Sequence, residues 1–185
     1  MNKTRVIPVL LLRGKGLVKT VRFKDPKYIG DPINSVRIFN EKEVDELVFL
    51  DITATPEGRG PDFELLSDIA SEAFMPMAYG GGITSLDQVQ RVFALGFEKV
   101  IFDTVAYTDP QLIQDAVAIY GSQSIVGCVD VRKTLLGRYE LISHAGKSKQ
   151  RVSLREHLKA LERQGVGEII VNAVDRDGTQ SGYDL

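Results

Sequence analysis

The sequence has 185 residues, 43% hydrophobic and 26% charged, the balance of one soluble globular domain with a sizeable core. Its formal net charge of -2 offers no basic field for nucleic acid or anionic lipid, and no apolar run is long enough to cross a bilayer. The single cysteine, Cys128, excludes an internal disulfide and fits a reducing cytoplasm; with only His144 and His157 beside it, no metal site or cofactor is expected.

The chain opens on Met1-Asn2-Lys3-Thr4-Arg5 and a short apolar stretch, Val6 to Leu12. That stretch is too short for a signal peptide, and Arg5 to Leu12 reads as a first buried strand. Arg13 to Asp31 reads as a long loop rich in Gly, Lys and Arg. Asp31 then caps a helix that starts at Pro32 and runs to about Val44. Leu47 to Ile52 is the second strand, and Phe63 to Phe74 a helix with apolar residues at Leu65, Leu66, Ile69 and Ala73. Met75 to Tyr79 is the third strand, ending in Gly80-Gly81-Gly82. Ser85 caps the next helix with Gln88 in a weak capping box, and Gly96 ends it. Lys99 to Phe102 is the fourth strand; Asp109-Pro110 opens a helix that closes near Gly121; Ser124 to Val129 is the fifth strand. A small hairpin follows, about Leu135 to His144 around Gly137. Ser153 with Glu156 caps a helix ending at Gly165, and Glu168 to Val174 is the sixth strand.

Strand and helix alternate six times, which predicts an α/β fold of parallel strands joined by right-handed crossovers. A doubly wound sheet and a closed barrel both fit. An internal repeat decides between them. Val6 to Arg13 aligns with Ile125 to Arg132, and Asp45 to Thr53 resembles Gly167 to Asp175. Both offsets are near half of a barrel of about 250 residues. Residues 1–185 are therefore read as one incomplete (βα)8 TIM-barrel domain of about six βα units, with a half-barrel boundary near residues 121–124. Six strands do not close an eight-stranded barrel. A fragment, a truncated reading frame, or pairing of the open edge with another chain or a second copy is expected.

In such barrels the chemistry sits where the strands end. Those ends are Leu11, Asp51, Gly80-Gly81-Gly82, Asp103-Thr104, Asp130 and Asp175-Arg176-Asp177-Gly178-Thr179. The glycine turn would let backbone N–H groups approach an anion, with Thr104 adding a hydroxyl; its alternative is a tight connector needing positive φ. Asp177-Gly178-Thr179 is a second anion candidate, and two such sites would suit a ligand with a phosphate at each end. Asp130 is a candidate general acid or base, or else a structural hydrogen-bonding group. The repeat sets it against Leu11, which has no titratable group. Arg5, Glu46, Lys99 and Glu168 stand at or just before strand starts, where two cations and two anions could form an alternating ring; ordinary strand-end charge is the other reading.

Four segments carry a specific resemblance: Asp45 to Ala54, Gly80-Gly81-Gly82-Ile83, Gly121-Ser122-Gln123 and Asp175 to Asp184. They resemble the cyclase subunit of imidazole glycerol phosphate synthase, and the likeness runs from Arg5 to Asp184. The resemblance implies a (βα)8 barrel paired at its bottom with a glutaminase, whose ammonia passes through the core to a phosphorylated small-molecule substrate at the top. It implies that Arg5, Glu46, Lys99 and Glu168 form the ammonia gate and that Asp130 is catalytic. It implies that Gly81, Gly82, Asp103 and Thr104 border one phosphate, and that Asp177, Gly178 and Thr179 border the other. Three departures stand out. Leu11 replaces a second catalytic aspartate, Asp103 stands where asparagine is usual, and Ala145 replaces a hydroxyl-bearing residue. A retained gate with an altered proton-transfer site implies retained ammonia delivery to a different acceptor. Val6 to Leu12, Val18-Lys19-Thr20 and Asp25 to Asn34 resemble a branch that works with a glutaminase and an activating enzyme to turn acetamido groups of surface sugars into acetamidino groups. The expectation is thus a cytoplasmic, ammonia-receiving synthase subunit of a glutamine amidotransferase for surface-polysaccharide sugars. The alternatives are the histidine-pathway cyclase, a lyase, and a non-catalytic scaffold that activates a glutaminase.

Overall fold

The computed structural model describes residues 4–184; Met1 to Lys3 and Leu185, the outermost residues of the expected domain, lie outside the described residues. The chain folds as an α/β protein of mostly parallel strands, of the (βα)8-barrel type and present in part. Its backbone gathers into two compact units. One contains the chain up to Val18 and Tyr28–Val100; the other contains Lys19–Lys27 and residues from Ile101 onward.

In the first unit, β1 (Val9–Arg13), β4 (Leu47–Asp51) and β5 (Met77–Gly80) pair in parallel, with Leu10 beside Phe49 and Phe49 beside Tyr79. β1 begins later than the expected Arg5 because Pro8 has no N–H to donate; its carbonyl alone joins the ladder, accepting from the Val48 N–H at 3.0 Å. Helices α1 (Pro32–Glu41), α2 (Phe63–Glu72) and α3 (Leu86–Ala94) start where small polar side chains satisfy free N–H groups: Asp31 accepts from Asn34, Asp62 from Leu65 and Ser85 from Gln88. The capping box expected at Ser85 forms only in half, because the Gln88 side chain turns to Thr84 instead. Leu47, Phe49, Leu66, Ile69, Tyr79, Val89 and Val92 close the core between sheet and helices. Each large side chain buried here contributes roughly 1.5–3 kcal/mol.

The expected loop from Arg13 to Asp31 is instead β2 (Gly16–Val21) and β3 (Lys24–Gly30). β2 runs antiparallel to β1, with Leu17 beside Leu12 and Val18 beside Leu11. The Gly, Lys and Arg content hid a period-two pattern: Val18 and Thr20 are buried while Lys19 and Val21 face out.

In the second unit, β7 (Ile125–Lys133) and β10 (Glu168–Ala173) pair in parallel from Val126↔Glu168 to Val131↔Ala173. The far end of β7 outruns the expected Val129 because β8 (Tyr139–Ser143) takes it up in an antiparallel hairpin, Asp130↔Ile142 to Lys133↔Tyr139. β9 (Ser148–Lys149) adds to β8. Between Asp103 and Asp109 the chain forms an unexpected single turn, α4 (Val105–Thr108), too short for periodicity to betray it. Then come α5 (Pro110–Tyr120) and α6 (Leu154–Arg163). The remaining strand, β6 (Lys99–Phe102), lies where the backbone passes from one unit to the other.

At the start of α6 both halves of a capping box are made: Ser153 Oγ accepts from the Glu156 N–H at 3.3 Å, and the Glu156 carboxylate accepts from the Ser153 N–H at 3.1 Å. We predict that Ser153→Ala lowers the unfolding free energy by about 1 kcal/mol, read as a shift of the urea midpoint at unchanged slope. An unchanged midpoint would show that the cap contributes nothing.

Candidate functional site

At the strand starts of the first unit, Glu46 lies just before β4 with 4% of its side chain exposed. Its Oε2 accepts from Arg5 Nη1 at 3.0 Å and from Lys99 Nζ, at the start of β6, at 2.8 Å. Arg5 remains half-exposed, whereas only 11% of the Lys99 side chain is exposed. The unit thus brings three of the four expected gate residues onto one carboxylate. Glu168 belongs to the second unit, where it starts β10 beside Val126.

Where the strands of this unit end, Asp51 is buried and fully engaged. Its Oδ1 accepts from the N–H groups of Thr53 and Ala54, both at 3.0 Å, and its Oδ2 meets Arg59 Nη1 at 2.9 Å. Arg59 also donates to Thr53 Oγ1 at 2.7 Å. The loop so fixed is what the glycine turn packs against. A Cβ on Gly81 would strike the Asp51 carbonyl, and one on Gly82 the Arg59 carbonyl, with φ of 124° and 68°. These contacts require glycine at both positions. The Gly82 N–H donates to Thr55 Oγ1 at 3.3 Å, so a hydroxyl already occupies that donor. Gly81 and Gly82 belong to the first unit and Thr104 to the second.

The second unit gathers acids. Asp130 lies within β7, 5% exposed, with Asn172 beside it on β10. Asp103 follows β6; its Oδ2 accepts from Thr104 Oγ1 at a long 3.4 Å, and its Oδ1 is buried with no partner among the described residues. The Tyr107 hydroxyl on α4 is likewise buried and unpartnered. Burial above all, then the charge of Asp130, pushes the Asp103 carboxyl well above the usual range. Burial also drives Asp130 up to about 7; the Asn172 hydrogen bond pulls it down and the Asp177 charge pushes it up. Burial, with Asp103 and Asp130 behind it, raises the Tyr107 phenol.

Asp177 is tied to the segment Lys19–Lys27. Its Oδ2 accepts from Thr20 Oγ1 at 2.7 Å and from the Phe23 N–H at 3.0 Å. Gly178 (φ 64°) passes so close to the Thr20 carbonyl that a Cβ would collide with it. Thr179 Oγ1 turns back to the Arg176 carbonyl at 2.9 Å. Leu11, on β1 between Val18 and Leu50, is an aliphatic packing residue with no proton to exchange.

Sequence reasoning passed over Asn172, Thr20, Tyr107 and a site role for His157. Asn172 had a signal, a polar residue inside an otherwise apolar strand. Tyr107 had none. Its ring stacks on His157 of α6 with centroids 4.2 Å apart and planes 8° apart, and burial lowers the His157 pKa.

Parallel strands joined by helices, with acidic side chains collected where the strands end, define a protein of the (βα)8-barrel type. The chain belongs to the histidine biosynthesis protein family, whose profile matches residues 5–185. It is 51% identical over 184 residues to "Putative imidazole glycerol phosphate synthase subunit hisF2" of Pseudomonas aeruginosa, covering 100% of this chain and 73% of that protein. It is 48% identical over 186 residues to "Putative imidazole glycerol phosphate synthase subunit HisF" of Leptospira interrogans, covering 100% of this chain and 73% of that one. The same identity and span hold for "Putative imidazole glycerol phosphate synthase subunit hisF3" of Vibrio vulnificus strain YJ016, 72% of which is covered. Among the described residues no helix is long and apolar enough to cross a membrane.

The raised Asp130 carboxyl has a consequence for stability. The folded chain binds this proton more tightly than the unfolded chain, whose aspartates titrate near about 3.9. Stability therefore falls as pH rises from about 4 to about 7 and levels off above. Asp130→Asn, close in shape and neutral, removes that component. Thermal unfolding should show the variant gaining on the wild type by several degrees more at pH 8 than at pH 5. An equal difference at the two pH values would contradict the assignment.

Proposed function

We propose that this chain is the ammonia-receiving synthase subunit of a glutamine amidotransferase. The observation that carries the reading is the buried carboxylate Glu46 holding Arg5 and Lys99 at the strand starts. An ion cluster there suits the entry of a small polar molecule released by a glutaminase. Its charges hold one another in place and still exchange partners as ammonia passes. Glu168, at the start of β10 in the second unit, is the fourth residue that the resemblance gives to such a gate. The acceptor lies where the strands of the second unit end, beside Asp130, with Thr104 near one anionic group and Asp177, Gly178 and Thr179 near another; Gly81 and Gly82, in the first unit, are the glycine turn proposed for an anion. The free, buried thiol of Cys128 supports a reducing, cytoplasmic setting.

The acceptor we propose is an activated acetamido sugar of a surface polysaccharide, converted to an acetamidino group. Leu11 supports this choice, because cyclisation of a ribonucleotide calls for proton transfer at more than one point of the ring and this strand end supplies none. Asp103 supports it too, since a carboxylate repels a phosphate dianion. The second reading is the histidine-pathway cyclase, favoured by the family and by the names of the three relatives.

Glutamine labelled with 15N in its amide, supplied with the chain, its glutaminase and an activated acetamido sugar, separates the two. We predict 15N in an acetamidino product by mass spectrometry and no label in an imidazole ring when the histidine-pathway ribonucleotide is offered. Label in the imidazole would overturn the sugar reading.

A further inference from the structure

We infer that Asp103 is a second proton-transfer residue, which with Asp130 forms a two-carboxyl site that manages both protons moved when ammonia displaces a leaving group on the acceptor. The inference rests on the ammonia-transfer reading and deepens it.

Both residues lie in the second unit, Asp103 directly after β6 and Asp130 within β7; Asp130 is buried, and Asp103 is half-buried with its Oδ1 closed off from solvent. Around them stand Asp177, Tyr107 and Cys128, all acids, together with the neutral Asn172. The Asp103 carboxyl feels the charge of Asp130, and Asp130 that of Asp177. A carboxylate opposes the ionisation of a second carboxyl that feels its charge, and burial opposes it further, so the pair favours holding one proton. The Oδ2 of Asp177 accepts from Thr20 and Phe23.

A structural carboxyl pair would spend its hydrogen-bonding capacity on the protein, as Asp51 does with Thr53, Ala54 and Arg59. Asp103 does not. Its Oδ1 and the neighbouring Tyr107 hydroxyl are buried and unpartnered among the described residues. Each such atom costs about 1–3 kcal/mol unless something outside the protein meets it. An incoming N–H group and a departing oxygen are the complement of an ionised carboxyl and a protonated one.

The step balances without any further reagent. Ammonia forms a C–N bond to the activated carbon and gives a proton to the ionised carboxyl. The protonated carboxyl gives its proton to the leaving oxygen as the C–O bond breaks. The pair ends with the single proton it began with.

Carboxyl carbons of aspartate labelled with 13C, followed by NMR from pH 4 to 9 in the full chain, test the pair directly. Asp103 and Asp130 should each show a two-step curve, and Asp103→Asn should reduce Asp130 to one step at lower pH. Independent one-step curves unaffected by the partner would overturn the pair. In ammonium-driven turnover, Asp103→Asn should lose about 100-fold in kcat and one limb of the pH profile, as expected for removing one acid–base group. Coupled titration with undiminished turnover in Asp103→Asn would overturn the catalytic role of Asp103 alone. A wild-type chain that transfers no ammonia would overturn the functional reading itself.

Discussion

Glu46 is a carboxylate with 4% of its side chain exposed, and a charge so placed is tolerated only when it is paired and hydrogen-bonded. Lys99, itself 11% exposed, supplies most of the compensation; Arg5, half in solvent, adds a weaker and salt-sensitive contact. Removing one member of a buried pair typically costs about 3–5 kcal/mol, whereas an apolar replacement of the whole pair is often neutral. Stability alone therefore gives little reason to keep charge at these strand starts. A passage for a small polar molecule does, and the proposed ammonia delivery depends on that reasoning.

The acids at the strand ends, buried or half-buried, fall into two kinds. Asp51 is saturated by two backbone N–H groups, a hydroxyl and a guanidinium, and it fixes the loop on which the Gly81-Gly82 turn rests. Asp177 is likewise committed, to Thr20 and Phe23. Asp103 and Asp130 are different: burial raises both carboxyls, and one oxygen of Asp103 meets no protein donor among the described residues. Saturated carboxyls build shape. Frustrated ones hold a proton that can be given away, and that contrast singles out where chemistry is best placed.

Much of the fold was readable because its signals are local. Asp31-Pro32, Asp109-Pro110 and Ser153 with Glu156 each start a helix where their own side chains satisfy the first free N–H groups. β2 and β3 were not readable, because turn-rich composition masked two short strands, one of them exposed along most of its length. For the site, position at a strand start set Arg5, Glu46 and Lys99 together as a possible ring, with ordinary strand-end charge the simpler reading until the family resemblance was added. That the Thr55 hydroxyl would meet the Gly82 N–H, or that Asp103 would charge-couple to Asp130, depends on contacts across the fold that spacing does not encode.

The central claim, that the Glu46 cluster governs ammonia entry rather than acceptor chemistry, is tested most directly by comparing two nitrogen sources in Glu46→Gln assembled with the glutaminase. The account predicts that glutamine-driven transfer falls at least about 10-fold while transfer driven by free ammonium keeps the wild-type rate, since only a channelled supply crosses the cluster. Equal loss with both sources, or no loss with either, would contradict it.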